Sequence, residues 1–381
     1  MTNWQNKGNT NHVSHNSNDS MTPSAQSLSA GALGLLRRLI AIPSFSREED
    51  ATASALETYL EANGVSTHRI KNNVWAKNLH FDPAKPTVLL NSHHDTVKPN
   101  QGYIRDPFAP DIADGKLYGL GSNDAGGALV CLLATFLHFF EKTGLPFNLV
   151  YAATAEEEIS GKDGVALILP QLGDIACAIV GEPTQMQLAI AEKGLMVLDC
   201  MVQGRSGHAA REEGENAIYK ALPDIVWFKT HRFPKVSEFL GPVKMSVTVI
   251  RAGSQHNVVP DECHFTVDVR VNERYTFEEV LDLIREQVGC SVVPRSVRMR
   301  SSIIPPEHPL VQAGLSLDRA MYGSPTTSDK ALMPFPALKM GPGDSARSHT
   351  PDEFIYLTEI EEGIALYIKL LERYHETLVK A

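Results

Sequence analysis

The stretch Thr87–Pro99, TVLLNSHHDTVKP, decides how this chain is read. Its apolar run, Val88-Leu89-Leu90, has the character of a buried strand, yet it ends in His93, His94 and Asp95. Open α/β sheets bind ligands in the crevice beyond the carboxyl ends of their strands. A strand that delivers imidazoles and a carboxylate where it stops therefore points to a site at a sheet edge. Three other apolar runs do the same. NLVYAAT (148–154) runs into Glu156-Glu157-Glu158, CAIVG (177–181) into Glu182, and PALKMGPGDSARSH (336–349) leads to His349. Asp124 stands in a glycine-rich turn, GLGSNDAGG (119–127), at the mouth of a helix expected over 125–144 with Gly144 as its C-cap. Taken singly, each signal has a bland reading: a structural histidine, a solvated run of glutamates, an N-cap aspartate. Placed together at successive strand ends, they outweigh those readings. Two imidazoles and several carboxylates without a thiolate suit a pair of zinc ions, for which cobalt or manganese could substitute.

Working outward, strand-like runs alternate with helical patterns, as in an α/β sheet with helices on its faces. The first helical pattern, AGALGLLRRLIAI (30–42), comes after a tail rich in Asn, Ser and Thr (1–26) that has no signal-peptide core and is expected to be disordered. Met21 within it could serve as an alternative start. From about residue 196 to 297 the texture changes. LMVLDCMVQG, KMSVTVIRAG and CHFTVDVRVNE alternate with period two, as strands with one covered face do, and helical patterns lie between and after them. This predicts a β-α-β-β-α unit of smaller α+β, ferredoxin-like type, inserted into a larger domain formed by 27–195 and 298–381. An amphipathic helix (357–378) closes the chain.

A chain of 381 residues has room for two cores. Net charge is −10 with no basic block, which argues against nucleic acid and anionic membranes as partners. The longest apolar stretch, ALVCLLATFLHFF (128–140), contains a His and is too short to span a bilayer. Five scattered cysteines with no Cys-x-x-Cys pair read as reduced core thiols, so a cytoplasmic protein is expected.

The chain resembles the dinuclear-zinc amidohydrolases that include acetylornithine deacetylase, succinyl-diaminopimelate desuccinylase, aminoacylase and glutamate carboxypeptidase. The resemblance rests on NSHHDTV, GLGSNDAGG, TAEEEISG, VGEPT, GRSGHAA with GENA, NVVPDECHFTVDVR and GPGDSARSHTPDE, in the family's order and across nearly everything after the tail. One position departs: the family's usual Asp-Glu-Glu is Glu156-Glu157-Glu158 here. The resemblance implies a metallopeptidase-like catalytic domain with a mixed sheet flanked by helices, and an inserted domain that forms a homodimer. It implies that Asp124 bridges two divalent metals, that His93 and Glu182 complete one site, and that Glu158 and His349 complete the other. Asp95 would orient His93, and Glu157 would be the general base. His94 would point away. Adjacent residues of an extended chain face opposite ways, so Glu157 and Glu158 need a bend to serve one site. His208 would stabilise the oxyanion in the partner subunit's site, with hinges near 195 and 297. Asn257, Arg270, Gly341 and Gly343 would lie near the substrate's carboxylate and main chain, and Asp329 or Lys330 would read its side chain. The Asp124–Ala125 peptide would be cis. The implied substrate is a small N-acyl amino acid. N-acetyl-L-ornithine of arginine biosynthesis stands first and N-acetyl-citrulline next, with succinyl-diaminopimelate, N-acetyl-lysine and dipeptides behind. A metal-free binding or scaffold homologue is the non-enzymatic alternative.

Overall fold

The structure, a computed structural model, describes residues 25–380. The tail expected to be disordered therefore lies almost wholly outside the described residues, and the first helix, Ala25–Ile40, begins ahead of the expected pattern. The large sheet runs in the order His68–Ile70, Asn73–Lys77, Asn148–Thr154, Thr87–His93, Cys177–Val180, Ala337–Lys339, Leu188–Glu192 and Ser302–Ile303, with Met321–Ser324 also pairing to Leu188–Glu192. It is mixed. Its four middle strands, 148–154, 87–93, 177–180 and 337–339, are mutually parallel. Strands buried on both faces need apolar residues at every position, not alternate ones. Side chains alternate between the two layers: Val88 and Leu90 enter one core and Leu89 the other, and Tyr151 and Val150 divide the same way. Helices Ala25–Ile40, Gly127–Phe139 and Leu357–Lys380 supply the first layer through Leu36, Leu132, Phe136, Ile364 and Tyr367. Helix Val165–Leu172 supplies the second.

The helix expected over 125–144 is shorter than its pattern. It spans Gly127–Phe139, and Gly144 sits in the loop beyond it with φ of 75°. The last turn tightens through i→i+3 bonds at Phe140 and Lys142, and the Leu79 N–H takes the Phe140 carbonyl, which ends the helix before its apolar sequence does.

A second sheet, separate from the first, has the order Lys244–Ala252, Glu262–Val271, Gly194–Gln203 and Ser291–Pro294, all antiparallel. Helices Ala217–Thr230 and Phe277–Gln287 cover one face, closing a core of Met196, Leu198, Phe265, Val267, Phe228 and Ile284. The helix at 277 starts with a reciprocal capping box between Thr276 and Glu279. The fourth strand, Ser291–Pro294, extends the expected β-α-β-β-α order to the full ferredoxin-like β-α-β-β-α-β. Its four residues carry too little alternation to announce it, and Pro294 is tolerated because the strand lies at an edge.

Candidate metal centre

Parallel pairing dictates where the site lies. His93 is the last residue of its strand and is in register with Thr154 on one side, while Asn91 is in register with Val180 on the other. The chain therefore leaves Thr154 for Glu157 and Glu158, and Val180 for Glu182, at one edge of the sheet. The parallel strand Ala337–Lys339 leaves from the same edge towards His349. Asp124 reaches it from the tight turn Ser122–Gly126 that opens helix Gly127–Phe139. The Asp124–Ala125 peptide is cis, as expected.

The side chains converge. Asp124 turns one oxygen to each imidazole: Oδ1 lies 3.5 Å from His93 Nε2, and Oδ2 lies 3.7 Å from His349 Nε2. Glu182 comes within 3.8 Å of His93 Nε2 and Glu157 within 4.0 Å. Glu158 sits 3.0 Å from His349 Nε2. Two overlapping groups, His93-Asp124-Glu158 and His93-Glu157-Glu182, each present ligand atoms within 4.8 Å of one another.

The bend needed by Glu157 and Glu158 is present. Glu156 takes φ of 56°, a left-handed conformation uncommon for a residue with a side chain. Asp95 fixes the next two residues: its Oδ1 accepts the Glu157 N–H at 3.0 Å, and its Oδ2 accepts the Glu158 N–H at 3.2 Å and the Ser46 hydroxyl at 2.7 Å. Asp95 also faces His93, whose Nδ1 lies 3.0 Å from the Asp95 carbonyl and 3.4 Å from its carboxylate. One aspartate thus holds an imidazole and a turn together. His94 points away into a structural role, bonded to Thr52 Oγ1 and the Asn72 carbonyl.

The charge balance fits a cation. Burial pushes the Glu182 carboxyl up to about 8, and burial with Glu182 and Asp329 nearby drives Glu157 well above the usual range. The Glu158 carboxylate raises His349 to about 9. His93 Nε2 is buried with no hydrogen-bond partner among the described residues, although carboxylate oxygens surround it at 3.5–4.0 Å. Ligand atoms held about 2.0–2.2 Å from a tetrahedral zinc stand roughly 3.3–3.6 Å apart. The carboxylate oxygens around His93 Nε2 stand at or somewhat beyond that spacing and outside direct hydrogen-bond distance, whereas Glu158 and His349, at 3.0 Å, are hydrogen-bonded to each other.

The other expected residues lie outside these two ligand groups. Asp329 and Lys330 open the short turn Asp329–Leu332. Both are buried: the Asp329 carboxylate accepts from Thr154 Oγ1 (2.7 Å) and Asn91 (3.2 Å), bracing two site strands, and Lys330 donates to the Ile190 carbonyl at 2.8 Å. Arg270 is engaged by Asp268 through both ends of its fork, at 2.9 and 3.0 Å. Gly341 packs under the Glu182 backbone, where a Cβ would come within 2.5 Å of the Glu182 carbonyl. Gly343, at φ of 89°, leaves room for Asn123. Asn257 and His208 are exposed, His208 within the short ladder Gly207–His208/Val258–Val259 and Asn257 just before its second strand. Neither makes a hydrogen bond or ion pair with the cluster among the described residues.

One further residue of the site carries no signal in the sequence. Glu353 is buried, and its carboxylate accepts the N–H groups of Gly121 (3.1 Å), Asn123 (2.8 Å) and Asp124 (2.9 Å), clamping the turn that carries Asp124. It ends the quoted GPGDSARSHTPDE, but nothing local distinguishes it from a solvated acid.

The chain is similar to known proteins over most of its length. A family model described as Peptidase family M20/M25/M40 matches residues 89–373. The chain is 27% identical to a succinyl-diaminopimelate desuccinylase of Stenotrophomonas maltophilia, over 90% of this chain and 99% of the relative. It is 28% identical to an acetylornithine deacetylase of Proteus mirabilis, over 89% and 96%. Among solved structures, an M20 family metallo-carboxypeptidase from Sulfolobus solfataricus superposes with a TM-score of 0.74 at 16% identity, covering 91% of this chain and 99% of that one. A dinuclear metal binding peptidase of the M20 family from Bacillus subtilis gives 0.70 at 15%, covering 91% and 98%. With three quarters of its length matched and its acids and imidazoles gathered at one sheet edge, the chain belongs to peptidase family M20/M25/M40 and is a metal-dependent hydrolase of amide bonds.

Proposed function

We propose that the chain removes the acyl group from an N-acyl amino acid with a two-metal centre. Asp124 would be shared by the two ions, with His93 and Glu182 holding one and Glu158 and His349 the other. The observation that carries this reading is the Asp124 carboxylate, with one oxygen towards each imidazole. Divalent ions held there, zinc first and cobalt or manganese as substitutes, would polarise the amide carbonyl and acidify a water. Glu157 takes the proton of the attacking water and returns it to the leaving amine, a role typically worth ~10²–10⁴ in rate. Asp95 keeps that carboxylate in place through the Glu157 N–H, so the base is positioned by backbone and not only by its own rotamer.

Three further assignments belong to this reading. His208 serves the site of a second copy in a homodimer built through the inserted sheet. Support comes from helix Ala217–Thr230, which exposes Tyr219, Leu222 and Val226 on one face, and from the edge strand Lys244–Ala252, which exposes Val249 and Ile250. Asn257 and Arg270 bind the substrate's α-carboxylate, Arg270 by exchanging Asp268 for it. The cytoplasm is the proposed compartment, in keeping with five free, buried cysteines. No helix among the described residues is long and apolar enough to cross a membrane.

The substrate class is drawn from the relatives' names, succinyl-diaminopimelate desuccinylase and acetylornithine deacetylase. The test is a hydrolysis screen of N-acetyl and N-succinyl forms of ornithine, citrulline, lysine and diaminopimelate, alongside metal content by plasma emission. Release of the free amine, with about two metal ions per chain, supports the reading. A protein that binds no metal and cleaves none of the eight compounds is the scaffold alternative.

A further inference from the structure

Positive charge accumulates where the inserted sheet meets the main body. Lys244 and Arg270 stand directly opposite each other on adjacent antiparallel strands, so their side chains share a face. That face is the one away from the insert's core, because Val269 and Val271, on either side of Arg270, belong to the core. Like charges set opposite each other across a ladder are destabilising. Lys193 reaches the same place from the connecting segment before strand Gly194–Gln203. Its ammonium donates to the Pro242 carbonyl at 2.8 Å, two residues before Lys244. Burial, and then repulsion from Lys244 and Arg270, hold it below its usual pKa. Among the described residues, Asp268 is the carboxylate paired with Arg270. Three cations against one carboxylate leave two positive charges unmatched.

The cluster is joined to the metal centre by one short loop. Arg270 Nη1 lies 3.5 Å from Thr327 Oγ1, and Thr327 in turn donates to the Lys193 carbonyl at 2.7 Å. Two residues on, Asp329 is bonded to Thr154 and Asn91 at the ends of the site strands. Surface lysines on an open sheet face would splay into water. Here two of the three cations are half-buried, and one is tethered by its own ammonium.

We propose that Lys193, Lys244 and Arg270 form a subsite for two carboxylates, and that the preferred substrate carries a second carboxylate, on its acyl tail or its side chain, besides the α-carboxylate. This rests on the acyl-amino-acid reading above. A monocarboxylate matches one of the two spare charges, a dicarboxylate matches both, and a cationic side chain such as ornithine's is repelled. The subsite therefore ranks succinyl or dicarboxylic substrates above N-acetyl-L-ornithine.

Four synthetic substrates test it on the full-length, metal-loaded protein: N-acetyl-L-norvaline, N-acetyl-L-glutamate, N-butanoyl-L-norvaline and N-succinyl-L-norvaline. Each dicarboxylate is compared with the neutral compound of similar shape. One charge-assisted contact corresponds to about tenfold or more in kcat/KM. A succinyl-to-butanoyl ratio of that size places the second carboxylate on the acyl tail, and a glutamate-to-norvaline ratio of that size places it on the side chain. Lys193→Gln and Lys244→Gln should each lower the larger ratio about tenfold, and Lys244→Glu should lower it further. A general loss of folded protein cancels from these ratios. Both ratios near one, or a ratio that survives both glutamine variants, overturns the subsite while the deacylase reading stands. Cleavage of N-acetyl-L-ornithine but of none of the four overturns the subsite while the deacylase reading stands, and cleavage of none of the four and none of the eight compounds named above defeats both.

Discussion

Removing the Glu353 carboxylate should loosen the turn that presents Asp124, and the structure sets the size of the effect. Three backbone N–H groups, the buried ones of Gly121 and Asn123 and the partly buried one of Asp124, end on its two oxygens. Each buried donor left without a partner costs about 1–3 kcal/mol, so Glu353→Leu exposes the fold to roughly 3–9 kcal/mol. Relaxation of the turn towards water should return part of that, leaving about 3–5 kcal/mol, a large share of a typical stability of about 5–15 kcal/mol. Glu353→Gln keeps one oxygen for Asn123 and Asp124 but turns an NH₂ towards Gly121, and should cost about 1–3 kcal/mol. The assay is urea unfolding of chelator-treated protein, then metal titration of whatever remains folded. Stability should fall in the order wild type, glutamine, leucine, and metal affinity should fall in the same order because Asp124 is carried by the turn. A leucine variant within about 1 kcal/mol of wild type would show that the three N–H groups find other partners and that the clamp is not what holds the turn.

Glu157→Gln should keep its metal and lose most turnover, since a neutral amide cannot accept the water's proton, whereas Glu158→Gln should lose metal; equal metal loss in both by plasma emission would mean the two roles are wrongly divided. Homodimers of Glu157→Ala and of His208→Ala should both be nearly inactive, and mixing them under conditions of subunit exchange should restore activity, because each heterodimer would hold one site with both residues. If the sample stays inactive while mass spectrometry confirms exchange, His208 does not act in trans. Lys330→Met should raise the unfolding midpoint at pH 7. Burial pushes the Lys330 ammonium down to about 8, below its unfolded value of about 10.4, so the wild-type fold gains stability as pH rises from 8 to 10 and carries a handicap below 8. The Ile190 carbonyl keeps a second donor, the Ile304 N–H, after the change. The difference between variant and wild type should shrink towards pH 10, and a difference independent of pH would refute the assignment.

The metal-type residues are legible in the sequence because the information is linear. A run buried on both faces is apolar throughout, it must end, and the residues just past its end lie at the sheet edge; parallel strands bring those ends to one edge whatever their separation in sequence. The alternation of 194–203 and 262–271 is equally legible, since a sheet with one covered face writes its period into the residues. The chain does not encode in any local pattern which polar groups the fold buries against one another. Glu353 and Asp329 look like solvated acids until the turn at 121–124 and the strand ends at Asn91 and Thr154 close on them. Lys330, by its position in the chain a reader of substrate charge, is enclosed. The short strand Ser291–Pro294 exists because Gly194–Gln203 has a free edge to pair with, not because four residues can specify a strand. The like-charged pair Lys244 and Arg270 is a fact of register, set by which residue of one strand meets which of the next. Sequence by itself determined which chemistry is present and at which strand ends. Tertiary structure alone decided which charges are matched, because the partner that neutralises a buried group comes from a segment that only folding brings near.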